Sequence, residues 1–201
     1  IFVAYSGLYI SFIKNESIII MDHLEAIVEI KNTINLKFIE KLIPFIKHKA
    51  KNNLSIRSGI NKEVRNVKGY HLNFETPTNL FYWNFIKKEI EKNYLFYKAK
   101  FPKMESDKIN QIDLLKYNIG GKYEVHTDHF ATNPRHLSII INLNDNYEGG
   151  DLIFTDQKEK EIKKLKLSKG SIVFFPSNFM YPHMISPITK GTRYSIVAWL
   201  Q

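Results

Sequence analysis

The sequence predicts an α+β fold, a β-sandwich or jelly roll with a helical N-terminal layer, in one domain. Three observations predict it. Residues 35–51 and 77–96 carry apolar side chains at helical spacing. After about residue 108 the texture changes to eight short β-rich runs, most of them separated by Gly, Asn, Asp or Pro. No internal repeat or low-complexity tract divides the chain, and 201 residues suit one domain with a substantial core.

Taken in order, "AIVEIKNTI" alternates weakly and reads as a short strand. "NLKFIEKLIPFIKHKAK" has apolar residues at 36, 38, 39, 42, 43, 45 and 46, with Asn35 placed to cap the helix and Pro44 to kink it. The polar run from Asn52, with Gly59, reads as a loop, and "YHLNFET" as a strand. The helix over 77–96 starts at Pro77-Thr78, and its aromatics, Trp83 included, are assigned to the core. The β-rich runs follow: "INQIDLLKYN", "KYEVHTD", "HLSIIINLN", "GDLIFTD", "EIKKLKL", "GSIVFFPS", "PHMISPI" and "TRYSIVAWL". The sign-alternating stretch 156–170 reads as a solvated hairpin.

The apolar start of the chain stops at Lys14-Asn15-Glu16, too short to span a bilayer, and lacks a basic n-region and a small-residue cleavage site. The chain begins with Ile1, and Met21 precedes an acidic stretch. Residues 1–20 therefore read as an upstream extension or an extra packed element, and 21–201 as the single domain. A cytoplasmic location, bacterial or host-cell, and no membrane partner are expected.

The absence of cysteine excludes disulfides, thiolate zinc sites and cysteine nucleophiles, so any metal must be held by nitrogen and oxygen. The net charge of +9 comes from 25 scattered Lys and only four Arg, a diffuse excess rather than the footprint of a nucleic-acid binder.

The stretch "GGKYEVHTDHFATNPRH" holds the densest set of metal-capable side chains: Glu124, His126, Asp128, His129 and His136. In a strand, His126 and Asp128 share a face while Thr127 points away. An H-x-D tripeptide alone is common. His183, in the second-to-last β-rich run, supplies a third ligand of the right kind. Two His and one carboxylate form the facial triad that leaves coordination positions open on a non-haem iron. Glu124, His129 and His136 are assigned to its surroundings, with Glu124 paired to Lys or solvent. Ten residues past His183, Arg193 sits in a strand-like run; a buried Arg needs an anionic partner, and its fork fits a carboxylate bidentately. The distal carboxylate of 2-oxoglutarate is the partner expected, with Tyr117 placed to donate to the same molecule.

"LKYNIGGKYEVHTD", "RHLSIIINLNDNYEGGDLIF" and "KGSIVFFPSNFMYPHMISPITKGTRYSIVAW" resemble the catalytic core of prolyl 4-hydroxylase-type Fe(II)/2-oxoglutarate dioxygenases, from about Asp113 to Trp199. The nearest flavour is the compact bacterial and phage form, which uses Arg for the distal carboxylate, as oxygen-sensing prolyl hydroxylases do. The resemblance implies a double-stranded β-helix (jelly roll) packed against N-terminal helices, with a catalytic core at about 113–200. It implies iron on His126, Asp128 and His183, and the 2-oxoglutarate C5 carboxylate on Arg193, assisted by Tyr117. It implies a tight hairpin at Gly149-Gly150 and a substrate lid over 57–70 with Arg57, Arg65 and Tyr70. Asn142 departs from the pattern, standing where relatives often carry a Tyr that contacts 2-oxoglutarate. Fe(II), 2-oxoglutarate and O2 are the implied cofactor and co-substrates, with ascorbate as an accessory reductant. Mn, Ni, Co or Zn would be able to replace iron in a crystal. The implied partner is a protein or peptide with a target proline. Hydroxylation of another residue or a small molecule stays open beside it, as do a non-catalytic metal-binding jelly roll and, on the charge alone, a nucleic-acid oxygenase.

Overall fold

A computed structural model of the chain describes residues 23–56 and 58–201; the expected extension 1–20 and Arg57 lie outside the described residues. A one-turn 3-10 helix (His23–Ala26) leads into β1 (Val28–Ile30). Helices α1 (Leu36–Lys49) and α2 (Pro77–Lys100) flank β2 (Asn52–Asn53), β3 (Arg65–Asn66) and β4 (Lys68–His71). Then come β5 (Ile109–Tyr117), β6 (Lys122–His126), β7 (Leu137–Asn142), β8 (Glu148–Gly149) and β9 (Leu152–Thr155). The chain ends with β10 (Glu161–Leu165), β11 (Ile172–Pro176), β12 (His183–Ile185), β13 (Ile188–Lys190) and β14 (Arg193–Leu200).

Both helices begin where the local chemistry directs. The Asn35 carboxamide oxygen accepts from the Lys37 and Phe38 amides at 2.9 and 3.3 Å, which satisfies donors that the first turn cannot. Thr76 Oγ1 accepts from Asn79 N at 3.1 Å, and Pro77 occupies the first helical position, where a missing N–H costs nothing. Pro44 is accommodated inside α1.

Two expectations are corrected. The polar run after Asn52 is not all loop: β2 and β3 pair with β4 and β6. The strand expected over 70–76 is displaced to Lys68–His71, set by its pairing with β5. On α2, Tyr82, Trp83, Tyr94 and Tyr97 are buried, whereas Phe81 and Phe96 remain exposed, because the sheet covers one side of the helix only.

The strands form a seven-stranded antiparallel sheet, β1-β11-β7-β14-β5-β4-β2, facing a five-stranded one, β10-β9-β12-β6-β3. The period of two divides the core. Along β14, Tyr194, Ile196, Ala198 and Leu200 pack with α1 and α2, while Val197 and Trp199 pack between the sheets. The same alternation runs along β11, with Ile172 and Phe174 outward to the helices and Val173 and Phe175 inward. This is a jelly roll with a helical layer on one face, and the space between its sheets is where polar side chains collect.

Candidate metal centre

Two cross-strand pairs, one in each sheet, build the site. In the five-stranded sheet His126 on β6 is the register partner of His183 on β12, so the two imidazoles lie on one face, their centroids 4.3 Å apart. His126 Nδ1 donates to the Glu124 carbonyl at 2.8 Å and His183 Nδ1 to the Tyr181 carbonyl at 3.0 Å. Those bonds fix both rings with Nε2 as the free lone pair. The chain bends as β6 ends, and Asp128 enters between them. Its Oδ1 lies 3.6 Å from His126 Nε2 and its Oδ2 3.6 Å from His183 Nε2. The ligand atoms of all three side chains fall within 4.8 Å of one another, the one such cluster among the described residues.

Protonation states suit a divalent cation. Burial pushes the Asp128 carboxyl up, but His183, His126 and a hydrogen bond from Ser138 outweigh it and hold it well below the usual carboxylate range. Burial, then the neighbouring His126, push His183 down to about 4 against the pull of Asp128. At neutral pH the pocket offers an ionised carboxylate and an unprotonated imidazole. Ser138 Oγ donates to Asp128 Oδ2 at 2.7 Å and lies 2.8 Å from Ser177 Oγ, a buried hydroxyl pair that orients the carboxylate.

In the seven-stranded sheet Tyr117 on β5 is the register partner of Arg193 on β14. Arg193 is 1% exposed, has no carboxylate within ion-pair distance among the described residues, and buries Nε and Nη2 without an acceptor. Its guanidinium carbon sits 5.2 Å from the Tyr117 ring centroid. Burial raises the Tyr117 phenol against the opposing charges of Arg193 and Arg65, so it stays a protonated donor. Gly150, at φ +67°, makes the room: a Cβ there would meet Ile188 at 2.5 Å and Arg193 Cδ at 3.0 Å. Both pairs line one cavity with about 420 Å³ of empty space, its mouth included.

Some expected residues join the site and others do not. Arg65 lines the cavity and sits with its guanidinium carbon 4.7 Å over the Tyr123 ring. Tyr70 points to the helices, packing edge-on against Phe45 and accepting from Asn79 Nδ2 at 2.8 Å, so it is not a wall of the site. Asn142 is fully buried but lies outside the cavity. Its Nδ2 donates to the carbonyls of Asn144 and Leu167 (2.6 and 2.9 Å) and its Oδ1 accepts from Tyr147 (3.1 Å). It ties strand ends together. Glu124 pairs with Lys122 at 2.5 Å, His129 meets the Arg135 carbonyl at 3.0 Å, and His136 bonds Ser106, all away from the triad.

The sequence reading missed four contributors. Tyr123 stacks on His126 at 3.6 Å although the two differ in strand parity. A β-bulge explains it: three steps from Tyr123 to His126 match two from His183 to Ile185. Ser138, Arg135 and His71 were passed over because their partners are remote in sequence; only the alternation of β4, which separates His71 from Tyr70, hinted at the last.

Residues 112–201 match the sequence model of the 2OG-Fe(II) oxygenase superfamily, and that segment carries every residue of the two pairs. Over that segment, just under half of its length, the chain is similar to a 2OG-Fe(II) oxygenase core. The curated relatives it matches are PKHD-type hydroxylases, and its fold is similar to that of solved prolyl hydroxylases. It is 30% identical over 122 residues to a PKHD-type hydroxylase of Gloeothece citriformis, 58% of this chain and 52% of that one. Among solved structures, a Pseudomonas putida prolyl-4-hydroxylase superposes with a TM-score of 0.70 at 16% identity, covering 90% of this chain and 96% of the other. A Trichoplax adhaerens prolyl hydroxylase in complex with a hypoxia inducible factor oxygen degradation domain peptide fragment gives 0.70 at 16% identity, covering 89% and 86%. The chain spans about half the length of the curated relatives it matches.

Proposed function

We propose that the chain is an Fe(II)- and 2-oxoglutarate-dependent dioxygenase that hydroxylates an unactivated C–H bond, a prolyl residue in a protein or peptide, with release of succinate and CO2. One observation carries the reading. A two-His, one-carboxylate cluster with ionised and neutral donors shares a cavity with a buried arginine that has no carboxylate of its own. A metal alone would leave Arg193 uncompensated; a metal chelated by a dicarboxylate would not.

On this reading His126, Asp128 and His183 hold the metal, and Arg193 holds the distal carboxylate of 2-oxoglutarate, with the Tyr117 hydroxyl as an added donor. Bound iron would supply oxygen activation, chemistry that the side chains here lack. The protein's own work is placement. Backbone carbonyls hold the Nδ1–H of both imidazoles and so aim their Nε2 atoms. Ser138 holds one oxygen of Asp128 and leaves the other for the metal. The apolar wall of Leu115, Ile140 and Val197 keeps water from the co-substrate.

A peptide substrate is supported by the groove that opens beside the cavity, about 1030 Å³ with its mouth, bordered by Leu54 to Ile56 and Phe130. A similarly folded protein was solved with a peptide fragment.

The test is turnover. Purified protein with Fe(II), 2-oxoglutarate and ascorbate is expected to release succinate, and candidate proteins to gain 16 Da, with His183→Ala inactive in both. No succinate under any condition, with or without substrate, would sink the reading.

A further inference from the structure

The groove beside the metal cavity holds a second buried arginine in the same predicament as the first. Arg135 is 8% exposed and has no carboxylate within ion-pair distance among the described residues. Its Nη1 reaches only the Asp128 carbonyl at 3.4 Å, its Nη2 only Gln111 Oε1 at 3.2 Å, and its Nε is buried with no acceptor. The guanidinium lies 3.5 Å over the Trp199 ring, and the Trp199 indole N–H is buried without an acceptor too. Arg65, on the same groove, also buries its Nε unpaired.

The acids in the groove do not answer this. Asp128 belongs to the triad. Asp113 is engaged by Gln111 Nε2 at 3.1 and 3.0 Å and by His71 Nδ1 at 2.9 Å. Two guanidinium charges against the single remaining carboxylate of Asp113 leave at least one positive charge. Buried donors without acceptors are costly, so the arrangement is made for something that arrives with an acceptor and a negative charge.

We propose that this groove binds an acidic stretch of the polypeptide substrate, with an Asp or Glu side chain next to the target residue seated on Arg135 and Arg65 as the second cation. The proposal rests on the oxygenase reading and names its substrate class more closely. A carboxylate fits the planar fork of Arg135 bidentately. A nucleic-acid strand is the poorer match. Its phosphates call for a row of exposed cations, and among the described residues no lysine lines the groove.

The test uses Mn(II)-loaded protein with 2-oxoglutarate, without oxygen, and two peptide pools around a central proline. Neighbouring positions are Asp or Glu in one pool, Asn or Gln in the other. The acidic pool is expected to bind about tenfold more tightly, as for a charged hydrogen bond at a partly buried site. Arg135→Gln and Arg65→Gln should each erode that preference. Equal binding of the pools, binding of neither, or a preference untouched in both variants overturns the proposal, and so does a single-stranded oligonucleotide that outcompetes the acidic pool. The wild-type comparison stands without the variants should either fail to fold. A 2-oxoglutarate titration of the same sample separates the two levels. No binding there overturns the oxygenase reading and this proposal with it; normal binding there with equal pools overturns this proposal alone.

Discussion

His126 and His183, 57 positions apart, are direct register partners across β6 and β12. The candidate metal centre is thus assembled by strand pairing and not by contact across the barrel, and its geometry is as rigid as the ladder that holds it. Asp128 completes it from the bend just past β6, where it gains both imidazoles as neighbours at 3.6 Å.

Removing one member should therefore disable the cluster without dismantling the sheet. For His183→Ala, Mn(II) affinity measured by calorimetry is expected to fall at least about a hundredfold, beyond the range typical for outer-shell changes. Unchanged affinity would mean that the metal, if any, lies elsewhere.

Ser138 offers a subtler probe. It is not itself an expected ligand but donates to Oδ2 of one, Asp128. Ser138→Ala should weaken Mn(II) or Co(II) binding by about 10- to 100-fold, and should alter the Co(II) absorption spectrum while the far-UV circular dichroism stays as in the wild type. A normal Co(II) spectrum and affinity would reduce Ser138 to core packing.

Arg193 should show a conflict between stability and function. In the ligand-free protein its charge is buried and without a carboxylate, so Arg193→Met should stabilise that state, by about 1–4 kcal/mol if buried ion-pair replacements are a guide. The same substitution should abolish 2-oxoglutarate binding. A thermal melt and a 2-oxoglutarate titration on one sample decide it; a lower Tm would contradict the picture of an unsatisfied charge.

His71 should give stability a pH dependence. Its hydrogen bond to Asp113 raises its pKa above the usual 6.5 in spite of partial burial. The folded state therefore favours the protonated ring. That contribution is complete below the unfolded value and is lost as pH rises through the folded one. The Tm advantage of the wild type over His71→Asn is expected to be larger at about pH 5.5 than at about pH 9. The opposite trend would remove the pair as a stabilising contact.

Much of the fold was legible because local patterns decide it. Asn35 caps its helix through a side-chain oxygen whose partners are two or three residues away, and Pro77 opens the second helix as its fixed φ directs. The β-rich runs after residue 108 became strands because alternation of apolar side chains is a local property. The N-terminal strands β2 and β3 were illegible for the same reason inverted: they are polar, short and held only by their partners β4 and β6. Glu124 pairs with a lysine, Lys122, as its position suggested, whereas the bulge in β6 brings Tyr123 onto the His126 imidazole, which strand parity did not foretell.

By itself the sequence determined the kind of chemistry on offer. With no cysteine, it left two imidazoles, a carboxylate and an arginine in the order and spacing of an oxygenase core. Only the tertiary structure decided who meets whom. Registers of β6 with β12 and of β5 with β14 place His126 against His183 and Tyr117 against Arg193. The fold, not the motif, brings Ser138 to Asp128 and Trp199 under Arg135. The reason is physical: ligand identity is written residue by residue, whereas pairing register, burial and the unpaired state of a buried charge belong to segments that are far apart until the chain has folded.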